Sequence, residues 1–334
     1  MSKESSAEAV VFSGPGKVRV EEVELPRMSD ADLLVEVEYS AISAGTERWC
    51  LTGSLNVPGQ PPLAFPHVPG YQAAGFVART GRDVKGFREG DRVFSRNCKP
   101  PAGYPGSWWG GHVRRHVADG RDVVRLPETV STREASSLLL AQVGYNGASK
   151  PRVEPGDVAL VIGEGLVGQF AAQALRARGA YVIISGLVES RLEIARAHSA
   201  DEVFDAARGD LASYIREKHP KGVAVAVETA SNGATVRLAI DLLSHGGQLV
   251  MNGFYPPPES RLDWHWLRTK ELALYCPNSR TRPRLEAALG LIEQGKMKVA
   301  ELLTHELPYT EAPEAYRMLL DPAADFLGIV LRWT

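Results

Sequence analysis

The sequence has little cysteine: three in 334 residues, Cys50, Cys98 and Cys276. They are odd in number and far apart, so they suggest neither a disulfide framework nor a Cys-x-x-Cys metal site. It also lacks an excess of basic residues. Lys and Arg total 38 against 40 Asp and Glu, a net charge of −2. Such a chain has little with which to neutralise a phosphate backbone, and nucleic-acid binding is not expected. No apolar run approaches the roughly 18–20 residues that span a bilayer, so no membrane role is expected. The polar, mixed-charge stretch 1–8 lacks the basic start and apolar core of a secretory signal, and the expected location is the cytoplasm.

What is present fits a globular chain. Hydrophobic residues make up 44% and charged residues 23%, and the length suits two domains. Residues 1–125 read as short strands and turns. The stretches 9–12, 18–20, 75–78 and 92–94 are β-type runs, and 33–39 alternates apolar and acidic residues as a half-buried strand does. Helical periodicity is nearly absent, which predicts a small irregular β-barrel. The pattern changes at Ser131-Thr-Arg-Glu134, a capping-box signature. From residue 157 onward strands (158–162, 181–185, 224–228, 248–251) alternate with helices (167–178, 190–198, 235–243), which predicts a parallel sheet. A helix at 284–294, a run at 302–307, a helix at 312–320 and a strand at 328–333 close the chain.

The strongest local motif is Gly163-Glu164-Gly165-Leu166-Val167-Gly168, a G-x-G-x-x-G that follows an apolar strand and opens a helix. In that context it reads as a dinucleotide-binding loop. The first glycine permits the turn, the second admits the pyrophosphate, and the third lets helix and strand pack closely. The helix N-terminus faces the phosphates with a partial positive charge.

The ribose is read from the end of the second strand, where NAD sites carry Asp or Glu about 20 residues on. Here the strand ends Ser185-Gly186 without a carboxylate, and Glu189 is the nearest acid. A site without that charge tolerates a 2′-phosphate, so NADP is expected over NAD, with Ser185, Gly186 and Arg191 beside the ribose.

Several motifs spread along the chain resemble the medium-chain dehydrogenase/reductase family. They are Ala41-Ile-Ser-Ala-Gly-Thr-Glu47, Pro69-Gly-Tyr-Gln-Ala-Ala-Gly75, Gly90-Asp-Arg-Val93, the glycine loop, and Gly246-Gly-Gln-Leu-Val-Met-Asn-Gly253. The resemblance covers nearly the whole chain. It implies an α/β architecture: a GroES-like β-barrel catalytic domain over 1–145 and 283–334, and a Rossmann doubly wound parallel-sheet domain over 146–282. It implies a nicotinamide lying against Val167, near Val143 and the Asn252-Gly253-Phe254 turn. It also implies a homodimer joined at a sheet edge, for which 272–275 is the candidate strand. A narrower group resembles the chain through Ser43-Ala-Gly-Thr-Glu-Arg48, Pro69-Gly-Tyr71 and Asp321, Pro322, Val330, Leu331 and Trp333. Those dehydrogenases oxidise a hydroxyethyl group on a chlorin, and zinc-free dehydrogenases of sugar-like or cyclitol substrates share parts of the pattern. The chain departs from it in having Gln72 where Glu is expected.

Alcohol dehydrogenases of this family hold zinc through three protein ligands and one open position. The matching positions here are Ser43, Tyr71 with Gln72 beside it, and the stretch around Leu139, and the structural-zinc segment retains only Cys98. The resemblance therefore implies a zinc-free member. His67, His112 and His116 have no spacing that joins them into a ligand set.

A hydroxyl donor must then stabilise the developing alkoxide. Tyr71 is the expected donor, with Ser43 and Thr46 as hydrogen-bonding partners. Glu47, on the same loop, either passes a proton to solvent or pairs with a base in a structural role. Trp49, Trp108, Trp109 and Tyr255 are the expected substrate contacts, since flat apolar or sugar-like ligands stack on such rings. The leading expectation is a zinc-independent NAD(P)-dependent oxidoreductase interconverting a secondary alcohol and a ketone. A quinone or enoyl reductase of the same superfamily and a cofactor-binding protein without turnover are the alternatives.

Overall fold

A computed structural model describes residues 5–57, 59–60, 63–104, 107–255, 261–278 and 280–334. The chain divides into two compact units, one of residues 1–139 with 303–334 and one of 140–302.

The first unit opens with an antiparallel hairpin, β1 (Ser6–Gly14) and β2 (Lys17–Glu24). There follow β3 (Asp32–Ala41), helix α1 (Ala44–Thr52), β4 (Gln72–Thr80), β5 (Arg92–Arg96), β6 (Arg115–Asp119), β7 (Val123–Arg125) and the short helix α2 (Thr132–Ala135). Alternation in β3 puts Leu33, Val35 and Val37 into the core. The capping box at Ser131 and Glu134 forms as the sequence indicates. Helix α1 was not expected. It is nine residues long and lacks a clean apolar stripe, so it has no periodic signature. Thr46, Glu47 and Trp49 therefore stand on a helix rather than a loop, with Ser43 at its N-cap.

Helix α3 (Leu138–Ala148), which spans the unit boundary, leads into β8 (Val158–Ile162), α4 (Leu166–Arg176), β9 (Tyr181–Gly186), α5 (Glu189–His198), β10 (Glu202–Asp205), α6 (Leu211–Lys218), β11 (Val223–Glu228), α7 (Gly233–Leu242), β12 (Leu243–Met251), α8 (Trp264–Thr269), β13 (Ala273–Tyr275) and α9 (Arg282–Glu293) of the second unit. The strands form one parallel sheet in the order β10-β9-β8-β11-β12-β13. This is the doubly wound order, whose switch point lies between β8 and β11. Strands buried on both faces explain the unbroken apolar runs of β8 and β9. The helix α9, expected to return to the first unit, belongs to the second. It buries Leu285, Ala288, Leu289 and Ile292. The Gln173 side chain in α4 also donates to the Lys298 carbonyl (3.1 Å), which holds the following turn there.

The chain then re-enters the first unit with β14 (His305–Pro308), α10 (Ala312–Leu320) and β15 (Ile329–Arg332). The main sheet of this unit runs β14-β15-β3-β4-β5-β7, with β6 also pairing β3. One edge of β3 is shared: β15 pairs residues 39–41 and β6 pairs residues 32–36.

Candidate functional site

The second unit carries the glycine loop where β8 gives way to α4. Gly163 sits at φ +114°, a left-handed conformation that favours glycine, and its N–H donates to the Ser185 carbonyl (2.9 Å). A Cβ at Gly163 would lie 2.4 Å from Thr229 Oγ1, and one at Gly168 would lie 1.9 Å from the Gly163 carbonyl oxygen. Packing inside the protein thus requires both glycines. Gly165 differs: a Cβ there meets nothing within 4 Å. It is the N-cap of α4 and makes no side-chain cap bond. The first-turn amides of a helix lack intrahelical partners. Bare backbone beside open space is what a pyrophosphate needs, so Gly163 to Gly168, with Glu164, Leu166 and Val167 between them, fit a dinucleotide.

At the end of β9 the strand itself, Ser185-Gly186, carries no carboxylate, as read from the sequence. A carboxylate approaches it from the loop. A Cβ on Gly186 would lie 2.5 Å from the Glu164 carboxyl carbon, so the Glu164 side chain fills the space that Gly186 leaves open. Its Oε1 accepts from the amides of Leu187 (3.3 Å) and Val188 (3.2 Å), which lead into α5. Ser185, expected on a phosphate, is buried, at 2% exposed. Arg191 is half-buried on α5, where its carbonyl accepts from the Gln169 side chain (3.2 Å).

Near the ends of β11 and β12 the structure brings Asn252 against Val143, with Gly253 and Phe254 following in the chain. Asn252 Nδ2 donates to the Val143 carbonyl (3.1 Å), and Asn252 N donates to the Glu228 carbonyl (2.9 Å). Phe254 N donates to Ser231 Oγ (3.1 Å), leaving the Phe254 ring partly exposed. Tyr255, expected on the substrate, is engaged within the second unit. Its hydroxyl donates to the Glu228 carboxylate, and its ring packs against the core of the second unit.

Glu228 itself was missed. It is fully buried and also accepts from Ala230 N (2.9 Å), Ser231 N (3.3 Å) and Thr235 Oγ1 (2.7 Å). Burial raises its carboxyl above the ordinary value, against the pull of these donors. A lone acid ending an apolar strand was the available signal, because an uncompensated buried carboxylate is costly.

The first unit carries the positions at which the family resemblance implies zinc ligands. Tyr71 is buried, with its ring edge-on to Trp109 at 5.3 Å, and Trp109 meets Trp108 edge-on at 5.5 Å. Gln72 is a backbone brace: its Nε2 donates to the Ala41 carbonyl (3.4 Å) and its Oε1 accepts from Leu139 N (3.1 Å). An amide with these partners, a serine and a tyrosine are a poor donor set for zinc. Among the described residues no three His, Cys, Asp or Glu come together to hold a metal. Thr46 and Trp49 are half-buried on α1.

Glu47 pairs with His112, not with its neighbour Arg48. Its Oε1 accepts from Ser43 N (2.8 Å), and its Oε2 accepts from His112 Nε2 (2.9 Å) and the Tyr316 hydroxyl. Glu47 is 1% exposed and has no direct route to solvent. His112 Nδ1 lies 2.8 Å from Ser40 Oγ, which accepts from Trp333 Nε1 (2.8 Å). The carboxylate therefore fixes the Nε2–H tautomer. The His112 ring lies beneath Gly70, at φ +81°, where a Cβ would approach it to 2.6 Å. The network thus holds Ser43 through its amide and the backbone before Tyr71 through the imidazole. Burial drives His67 and His116 down to about 4 and keeps both neutral.

With this geometry in hand, similarity to known proteins is informative. Residues 29–128 match the alcohol dehydrogenase GroES-like domain. Residues 167–294 match the zinc-binding dehydrogenase family. The chain is 31% identical to a 2-desacetyl-2-hydroxyethyl bacteriochlorophyllide A dehydrogenase of Cereibacter sphaeroides over 97% of its own length and 98% of that protein. It is 24% identical to a sorbitol dehydrogenase of Halalkalibacterium halodurans over 92% of its length and 93% of that protein. A putative zinc-binding dehydrogenase of Sinorhizobium meliloti, solved bound to NADP, shares the fold at a TM-score of 0.87. It is 21% identical, and the match covers 98% of this chain and 100% of that one. The α/β fold, its GroES-like and Rossmann-like parts and the match along nearly the full length agree: the chain belongs to the zinc-type alcohol dehydrogenase, or medium-chain dehydrogenase/reductase, superfamily of NAD(P)-dependent oxidoreductases.

Proposed function

We propose that the protein is a zinc-independent oxidoreductase that interconverts a secondary alcohol and a ketone on a cyclic substrate with a nicotinamide cofactor. One observation carries the reading. An intact glycine loop, with Gly165 open toward a ligand, occurs in a chain whose positions for the implied zinc ligands hold Ser43, Tyr71 and a Gln72 engaged with backbone. Bound nicotinamide supplies the hydride acceptor or donor. The protein's own part is to bind, orient and manage one proton.

In the ketone-reducing direction the Tyr71 hydroxyl donates to the carbonyl oxygen as negative charge develops there, and in the reverse direction it recovers that proton. Ser43 and Thr46 are its hydrogen-bonding partners, and Glu47 acts as a positioning residue through Ser43 and His112. The Trp108–Trp109 pair beside Tyr71 supports a flat or ring-bearing substrate, with Trp49 as a further contact. The relative named for a hydroxyethyl chlorin supports a carbinol attached to a ring. The terminal position of β13 in its sheet supports pairing of two copies along that edge.

The test is elemental analysis for zinc combined with a turnover screen of secondary cyclic alcohols and activated alkenes against both dinucleotides. Alcohol oxidation without bound zinc is expected. Stoichiometric zinc would overturn the metal-free reading. Reduction of alkenes alone would favour the enoyl reductase.

A further inference from the structure

We infer that Glu164 is the cofactor-specificity residue of this chain and selects NAD(H) against NADP(H), a role usually carried by an acid at the end of the second strand. The inference rests on the nicotinamide-binding reading and deepens it.

The strand that should bear the acid ends at Gly186, which has no side chain. The Glu164 carboxylate, entering from the loop, lies where a Gly186 side chain would begin, 2.5 Å from the position of its Cβ. Because β8 and β9 are neighbours, with Ile162 level with Ser185, the residue after Gly163 can reach across one strand spacing to the next strand end. An acid at the variable position of the loop and a glycine at the strand end thus reproduce, with exchanged positions, the usual acid beside the ribose.

The two oxygens of this carboxylate have different surroundings. Oε1 accepts the amides of Leu187 and Val188. Val188 is the N-cap of α5, so these bonds fix the backbone where it enters that helix. Oε2, beside Gly186, accepts no hydrogen bond among the described residues. It is left to accept from a ribose 2′-hydroxyl.

A 2′-phosphate meets two obstacles at the same point. The carboxylate repels its charge. The amides of Leu187 and Val188, which lead into α5, already serve Glu164 and are not available to a phosphate. Arg191 on α5 is the opposing charge. If it dominated, NADP(H) would bind better, so the two residues make opposite predictions.

The experiment is fluorescence titration of the purified full chain with NADH and with NADPH, for wild type and Glu164→Gln. Wild type should bind NADH about tenfold or more tightly than NADPH, and Glu164→Gln should narrow that ratio several-fold, chiefly by strengthening NADPH binding. A wild-type ratio near one, or one favouring NADPH, overturns the inference without any variant. An unchanged ratio in folded Glu164→Gln overturns it as well. Failure of wild type to bind either dinucleotide would instead bring down the nicotinamide reading on which the inference rests.

Discussion

Glu47 and His112 are joined by a 2.9 Å hydrogen bond in the core of the first unit, where the His112 side chain is 0% exposed and the Glu47 side chain 1%. They stand 65 residues apart, and Tyr316, which completes the carboxylate's partners, lies 269 residues from Glu47. One buried acid therefore ties the start of α1, the turn before Tyr71 and α10 together. Buried carboxylates of this kind are tolerated only when every lone pair finds a donor.

Removing that acid should be severe. Glu47→Ala leaves the His112 Nε2–H, the Tyr316 hydroxyl and the Ser43 amide without their acceptor. A loss of about 3 kcal/mol or more is expected in urea unfolding. Tyr316→Phe, which deletes one donor only, should cost about 1 kcal/mol. Equal and small losses in both variants would show that the network is not cooperative.

Tyr71→Phe keeps the ring against Trp109 and removes only the hydroxyl. With a secondary alcohol that the wild type oxidises, turnover should fall roughly 10²-fold while NADH affinity changes little. Undiminished turnover would take Tyr71 out of the chemistry.

Two glycines of the loop should respond in opposite ways. Gly168→Ala forces a Cβ to within 1.9 Å of the Gly163 carbonyl oxygen and should impair folding itself. Gly165→Val enters open space, so its melting behaviour should match wild type to within about 0.5 kcal/mol. Its dinucleotide affinity should nonetheless collapse, which calorimetric titration would register.

Acid stability has a predictable window. His67 and His116 have folded values near 4, below the ordinary 6.5, because burial penalises their charged forms. For a depressed group the unfolded chain takes up the proton first. The stabilisation is therefore complete above about 6.5, and it is lost progressively as pH falls toward 4. Asp119, held near 2 by Arg121, contributes a separate loss below the ordinary carboxylate value of 3.8. Urea midpoints should already decline between pH 6.5 and 4.5, and His116→Asn should flatten that decline. A flat midpoint over this range in wild type would contradict neutral buried imidazoles.

Much of this was legible in the chain. Apolar runs bounded by turns report strands buried on both faces, which is why β8, β9 and β11 could be read directly. Gly163, Gly165 and Gly168 are adjacent in sequence, so their motif survives without any tertiary information. The absence of zinc-type side chains at Ser43, Tyr71 and Gln72 is likewise a matter of residue identity. Helix α1 was invisible because nine residues without an apolar stripe leave no periodic trace.

Sequence alone determined the alternation of strand and helix and the glycine loop, since each depends on neighbours in the chain. Tertiary structure decided where the charges lie. It brought Glu164 into the space left by Gly186, placed the Tyr255 hydroxyl on Glu228, and closed Glu47 onto His112 and Tyr316. Periodicity specifies which face of an element is buried, but it does not say which side chain meets it from across the core. A buried acid therefore finds its partners only when the elements pack.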